Sequence, residues 1–136
     1  MAKITKINHV AIVVPEIEGA LNFWQEALGL HLHHVEDVPS QKSAVAFLPI
    51  GESEVELVKP TSDDSGVAKF LADKGPGMHH LCFEVDDLEG MLADLKAKGV
   101  RLINETPQVL PGRKMAFIHP KASNGVLVEL YQLIKD

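Results

Sequence analysis

Residues from Lys6 to Val14 are apolar and rich in β-branched side chains without helical spacing, and Pro15 ends the run. Beyond it Ile17, Leu21, Trp24 and Leu28 recur at the period of a helix as far as Gly29, so the pattern predicts a strand followed by a helix. Leu30–Asp37, Ser43–Ile50 and Ser53–Lys59 then form short strand-like runs separated by Pro39, Pro49, Gly51 and Pro60. The same order returns downstream. A strand over Met78–Val85 leads into Asp86, Asp87 and Glu89, an N-cap and capping-box signal, and Leu88, Leu92 and Leu95 then share one helical face up to Gly99. Strands are predicted near Arg101–Asn104, Lys114–Ile118 and Gly125–Leu133, and a short helix over Val67–Lys74 between the halves.

The resemblance between the halves extends to identities. A shift of 71 positions lays Asn8–Leu21 over His79–Leu92 and pairs His9 with His80, Val14 with Val85, Glu18 with Glu89, Gly19 with Gly90 and Leu21 with Leu92. Ala46, Phe47 and Leu48 match Ala116, Phe117 and Ile118 at a shift of 70, and Val55, Glu56 and Leu57 match Val128, Glu129 and Leu130 at a shift of 73. Neither repeat is long enough to bury its apolar faces alone. The expected architecture is α+β: two tandem βαβββ modules forming a curved eight-stranded sheet around a metal cleft, with the helices outside. One domain over 4–134 is expected, with repeat one at 4–60, a linker helix at 61–77 and repeat two at 78–134.

Composition narrows the function. With 136 residues, 46% of them hydrophobic and 24% charged, the chain is an ordinary globular one. A formal charge of -6 disfavours a nucleic-acid partner. Residues 1–68 hold four basic and ten acidic side chains whereas residues 69–136 hold nine of each, so an anionic ligand meets less repulsion in the second half. Cys82 is the sole cysteine, which excludes an internal disulfide and cysteine-based metal clusters and suits a reducing compartment. No run is long enough to span a bilayer and the N-terminus lacks a signal-peptide core, so neither a membrane partner nor export is expected, and the location expected is the cytoplasm.

The repeat also pairs chemistry. His9 shares a strand face with Ala11 and Val13, and His80 shares one with Cys82 and Glu84, while Glu56 and Glu129 are each flanked by two apolar neighbours in the last strand of their repeat. Any one of these could be a satisfied core histidine or a solvated carboxylate. As two symmetry-related pairs, His9, Glu56, His80 and Glu129 instead suit a divalent ion of borderline hardness, with coordination positions left for substrate oxygens. His31, His33 and His34 read as an exposed strand edge, His79 faces away from His80, Cys82 reads as a packed thiol and Trp24 as core.

The segments INHVAIVV, GVAKFL, GMHHLCFEVDD, LKAKGVRLI and FIHPKASNGVLVEL resemble the vicinal oxygen chelate superfamily (glyoxalase, bleomycin resistance, dioxygenase) over nearly the whole chain. The MHH strand and the HPK turn, Phe117–Lys121, are most similar to its methylmalonyl-CoA epimerase family. That resemblance implies interconversion of the (2R) and (2S) forms of an acyl-CoA thioester through a metal-stabilised enolate, Co²⁺ being favoured among Co²⁺, Zn²⁺, Ni²⁺ and Mn²⁺. It implies His9, His80 and Glu129 as ligands and Glu129 as a general base. Some relatives carry Gln at the position of Glu56 and a second catalytic Glu in the strand that here reads Ser43–Phe47, where no carboxylate occurs. Inversion needs proton removal on one face and delivery on the other, so Glu56, the repeat partner of Glu129, is expected to be the second acid/base, with Lys42 a weaker candidate. Arg113, Lys114 and Lys121 are basic residues near the Pro111–Gly112 turn that could meet CoA phosphates or simply be solvated. A homodimer is expected. The alternatives are glyoxalase I, which uses the same His and Glu set, a non-catalytic binding protein of the same fold, and, less well matched, an extradiol dioxygenase.

Overall fold

The computed structural model describes residues 2–134. Contacts divide the chain into two compact units, one formed by His9–His79 and the other by residues 80–134 with the N-terminal arm as far as Asn8. In the first, β1 (Ile4–Val13, from His9 onward) is followed by α1 (Ile17–Leu21), β2 (His34–Val38), β3 (Ser43–Ile50), β4 (Ser53–Pro60) and α2 (Gly66–Lys74). β4 lies parallel to β1 and antiparallel to β3, and β3 is antiparallel to β2. The second unit repeats this with β5 (Gly77–Val85), α3 (Leu88–Ala97), β6 (Gln108–Leu110), β7 (Arg113–Ile118) and β8 (Val128–Leu133). There β8 is parallel to β5 and antiparallel to β7, which is antiparallel to β6. The chain is therefore α+β with the tandem βαβββ order that its hydrophobic pattern predicts, each module supplying four strands.

A helix between two parallel strands lets the chain return to the same end of the sheet, and its apolar stripe then covers one sheet face. In the first unit Val14, Ile17, Ala46, Leu48 and Leu57 form that core, with Leu21 and Trp24 packed on it. The opposite face buries Ala11, Val45 and Val58, against which Val38, Phe47 and Val67 of α2 pack. The helix expected as a linker is thus part of this unit, and Ser65 caps it by accepting from Ala68 N at 3.0 Å. In the second unit Val85, Leu88, Leu92, Ala116 and Leu130 form the corresponding helix-covered core.

Several local readings differ from the structure. The helical run after Pro15 is α-helical only to Leu21, and Asn22–Ala27 is a π-helical turn in which Leu28 N donates to Phe23 O at 2.8 Å. The wider turn keeps Trp24 packed on the core while Gly29, at φ 92°, ends the run. The strand expected at Leu30–Asp37 starts only at His34. No strand forms at Arg101–Asn104, where Leu102 makes a single bridge to Ile118 and the side-chain carbonyl of Asn104 accepts from Phe117 N at 2.8 Å, taking the place of a ladder bond. The outer strand of this module is instead β6. β8 starts at Val128 rather than Gly125 because Ser123–Val126 closes a turn, with Gly125 N donating to Pro120 O at 2.8 Å.

The capping of α3 is also not a capping box. Asp87 accepts from Gly90 N at 3.1 Å, but the Glu89 carboxylate is held by Lys114 Nζ at 2.7 and 2.8 Å, and the Leu88 N–H is satisfied by Gln132 Oε1 at 2.7 Å. A Cβ on Gly90 would meet Asp87 Oδ2 at 2.3 Å, so glycine there admits the cap. The arm before His9 joins this unit through Lys3 N to Asp86 Oδ1 at 2.8 Å and Asn8 Nδ2 to Glu84 Oε1 at 3.0 Å.

Leu92 is 2% exposed in this core, so Leu92→Ala is expected to lower the unfolding free energy by about 2–5 kcal/mol, against about 1 kcal/mol for Asp87→Ala, as read from urea midpoints. In the first unit the Asp64 carboxyl, hydrogen-bonded by Lys42 Nζ at 2.8 Å and by Ser62 Oγ, is held down at about 2. A depressed carboxyl contributes stability that is complete above its unfolded value near 3.8 and fades as the pH falls toward 2. Asp64→Asn is therefore expected to melt slightly below the parent at neutral pH, and the gap should close between about pH 4 and pH 2. An equal gap at both ends of that range would contradict the linkage.

Candidate active site

In the first unit the parallel register sets Ala11 of β1 opposite Glu56 of β4. Side chains two apart on a strand share a face, so His9 lies on the same face as Glu56, one step along. Its Nδ1 stands 3.2 Å from Glu56 Oε2, with the two side chains 3% and 11% exposed. The antiparallel register of β3 then places Phe47 directly opposite Glu56, and His34 of β2 stacks on Phe47 at 4.5 Å.

The second unit reproduces this step for step. Cys82 of β5 is opposite Glu129 of β8, and His80, two residues earlier, brings Nε2 to 3.0 Å from Glu129 Oε1 with side chains 12% and 5% exposed. Phe117 of β7 is opposite Glu129 and presents its ring to His80 at 5.7 Å, nearly perpendicular. The pairs differ in which ring nitrogen faces the carboxylate, Nδ1 for His9 and Nε2 for His80.

Burying a carboxylate costs several kcal/mol unless a hydrogen-bonding or charged partner offsets it, and in both units the first strand supplies that partner. The donor chemistry also fits a divalent ion. Adjacent imidazole and carboxylate ligands on an ion at about 2.1 Å lie about 3 Å apart at octahedral angles, close to the two separations found. Carboxylate and imidazole are the ligands that cobalt, zinc, nickel and manganese accept without thiolate. His9 and Glu56 are the residues of the first unit that could hold such an ion, and His80 and Glu129 those of the second.

The remaining sequence candidates separate clearly. His31, His33 and His34 are exposed, and the Nδ1 atoms of His33 and His34 approach to 2.6 Å. His79 packs edge-on against Phe70 of α2 at 5.1 Å, and Cys82 is fully buried. Lys42 is engaged by Asp64, Lys114 by Glu89, and Arg113 lies over the Tyr131 ring at 5.6 Å. Phe47 and Phe117, facing the carboxylates from the third strand of each module, were legible only as a matched pair of core-like positions in the repeat.

A model of the glyoxalase/bleomycin resistance protein/dioxygenase superfamily matches residues 8–117. The human mitochondrial methylmalonyl-CoA epimerase is 40% identical over 129 residues, which span 93% of this chain and 73% of that protein. An ethylmalonyl-CoA/methylmalonyl-CoA epimerase of Cereibacter sphaeroides is 37% identical over 134 residues, 96% of this chain and 99% of its own. A solved methylmalonyl-CoA epimerase in complex with methylmalonyl-CoA and NH4+ superposes with a TM-score of 0.89 at 33% identity, covering 96% of each chain. With its fold, its repeated His and Glu pairs and these relatives, the chain belongs to the glyoxalase/bleomycin resistance protein/dioxygenase superfamily and, within it, to the methylmalonyl-CoA epimerase family.

Proposed function

We propose that this epimerase interconverts the (2R) and (2S) forms of methylmalonyl-CoA by metal-dependent proton transfer at C2, with residues 4–134 acting as one functional domain and His9, Glu56, His80 and Glu129 as ligands of one divalent ion, Co²⁺ first among the candidates. The observation that carries this reading is the duplicated geometry: each module sets one buried carboxylate about 3 Å from one buried imidazole in the same strand register. A divalent cation bound there supplies positive charge that offsets the charge developing on the thioester as the proton leaves.

The chain's own groups then have distinct tasks. Glu129 accepts the C2 proton, and the electron pair of the broken C–H bond passes into the thioester carbonyl. Glu56 delivers a proton to the other face of C2, and the electron pair returns to form the new C–H bond. The reverse direction exchanges the two roles, so no net oxidant or proton is needed. His9 and His80 position the carboxylate oxygens that face them, at 3.2 and 3.0 Å. Phe47 and Phe117, opposite the carboxylates, supply apolar surface that limits water at the reacting carbon. The working form is read as a cytoplasmic homodimer; among the described residues no helix is long and apolar enough to cross a membrane.

The direct test is loss of the C2 proton signal of methylmalonyl-CoA in deuterated water. Cobalt-loaded protein is expected to exchange it well above background and to stop on chelation; no exchange with cobalt, zinc, nickel or manganese would reject the reading and turn attention to the hemithioacetal of methylglyoxal. Replacing either carboxylate separates the acid/base roles. Glu129→Gln and Glu56→Gln are each expected to slow epimerisation by about 10²–10⁴-fold, with metal content followed by elemental analysis. Full activity in Glu56→Gln at normal metal content would remove Glu56 from the mechanism.

A further inference from the structure

β2 starts at His34 rather than at Leu30, and that late start decides where two imidazoles go. Neighbouring residues of a regular strand point to opposite faces, which would hold His33 and His34 apart. His33 instead precedes the strand, and its ring turns back toward that of His34. The ring centroids are 4.7 Å apart at 76°, and the two Nδ1 atoms are 2.6 Å apart. Phe47 of β3 braces both residues: its carbonyl accepts from His33 N at 2.8 Å, and its ring stacks on that of His34 at 4.5 Å and 16°. On the far side of the His34 ring, Nε2 stands 3.9 Å from Glu36 Oε1. That carboxylate favours the ring proton on Nε2 and so leaves the Nδ1 lone pair directed at His33.

Two imidazoles facing each other through Nδ1 share one proton, whereas a divalent ion between them uses both lone pairs once the His33 proton has moved to its Nε2, with no net proton lost. Two nitrogens bound at about 2.05 Å lie about 2.9 Å apart at a right angle and about 3.3 Å apart at the tetrahedral angle. The observed 2.6 Å is nearer the first, so an ion of tetragonal preference asks for the smaller opening of the rings. Among such ions Cu²⁺ binds nitrogen most tightly. The pair is separate from the buried imidazole and carboxylate pairs. His34 is opposite Phe47 and Phe47 opposite Glu56, so its backbone is two strand spacings, about 10 Å, from that of Glu56, and its Nδ1 is turned to His33. We propose that His33 and His34 form a two-nitrogen chelate site for Cu²⁺, with solvent completing the coordination, independent of the epimerase reading.

The test is titration of the metal-free full chain with Cu²⁺, followed by calorimetry and by the nitrogen hyperfine structure of the electron paramagnetic resonance signal. His33→Gln removes one ligand, and His34→Phe removes the other while keeping an aromatic ring to stack on Phe47. Each is expected to weaken one equivalent of Cu²⁺ by at least about tenfold and to reduce its hyperfine pattern from two nitrogens to one. His9, Glu56, His80 and Glu129 are intact in every protein compared, so the difference from the parent isolates the pair at β2. His31→Gln, which removes an exposed imidazole two residues away, should leave affinity and spectrum unchanged. Unchanged binding in either His33→Gln or His34→Phe, or the same weakening in all three variants, would overturn the proposal. No turnover is read, so a failure of the epimerase reading leaves this result to stand or fall alone.

Discussion

One carboxylate buried in the last strand of each module is the constraint to which the surrounding structure answers. A carboxylate taken out of water with no partner would be protonated or would unfold its strand. Glu56 is 9% exposed and Glu129 4%, and both keep an imidazole at hydrogen-bonding distance. That partner is available only if the first and last strands run parallel in one register, with the histidine two residues before the position opposite the carboxylate. The helix between the strands is the connection that parallel pairing requires, and its buried side chains, Ile17 in the first module and Leu88 and Leu92 in the second, hold the pairing in place. A one-residue slip would turn every side chain to the other face. The apolar core of the helix-covered face and the polar pair on the other therefore specify the same register.

Duplication turns a local arrangement into a chemical resource. Each module offers one buried imidazole beside one buried carboxylate, the nitrogen and oxygen donors that borderline divalent ions take. The modules are not exact copies. His9 and His80 use different ring nitrogens, and His34 stacks on Phe47 whereas Phe117 meets the ring of His80. The two carboxylates therefore have different surroundings although the strand register around them is the same.

Charge is distributed unevenly along the chain. Ion pairs engage Lys6, Lys42, Lys59, Lys96 and Lys114: Lys42 ties the start of β3 to the turn after β4, and Lys114 ties β7 to the start of α3. Each is exposed and individually worth little. Residues 1–68 carry the acidic excess, whereas residues 69–136 balance their charges.

The sequence by itself determined what depends on neighbours along the chain. The 3.6 and 2.0 periodicities identify most helices and strands, Ser65 and Asp87 mark helix starts, and the internal repeat singles out His9, Glu56, His80 and Glu129, because each signal is carried by residues a few positions apart or by direct comparison of two segments. Tertiary structure decided the rest. Leu88 receives its cap from Gln132, forty-four residues away. Glu89 abandons a capping box for Lys114, Asn104 replaces a strand with a side-chain bond, and Phe47 and Phe117, legible only as matched positions of the repeat, prove to face the carboxylates. Each is a choice among partners distant in sequence, settled by which strand register satisfies the most backbone and buried polar groups at once, and no window of local residues contains that competition.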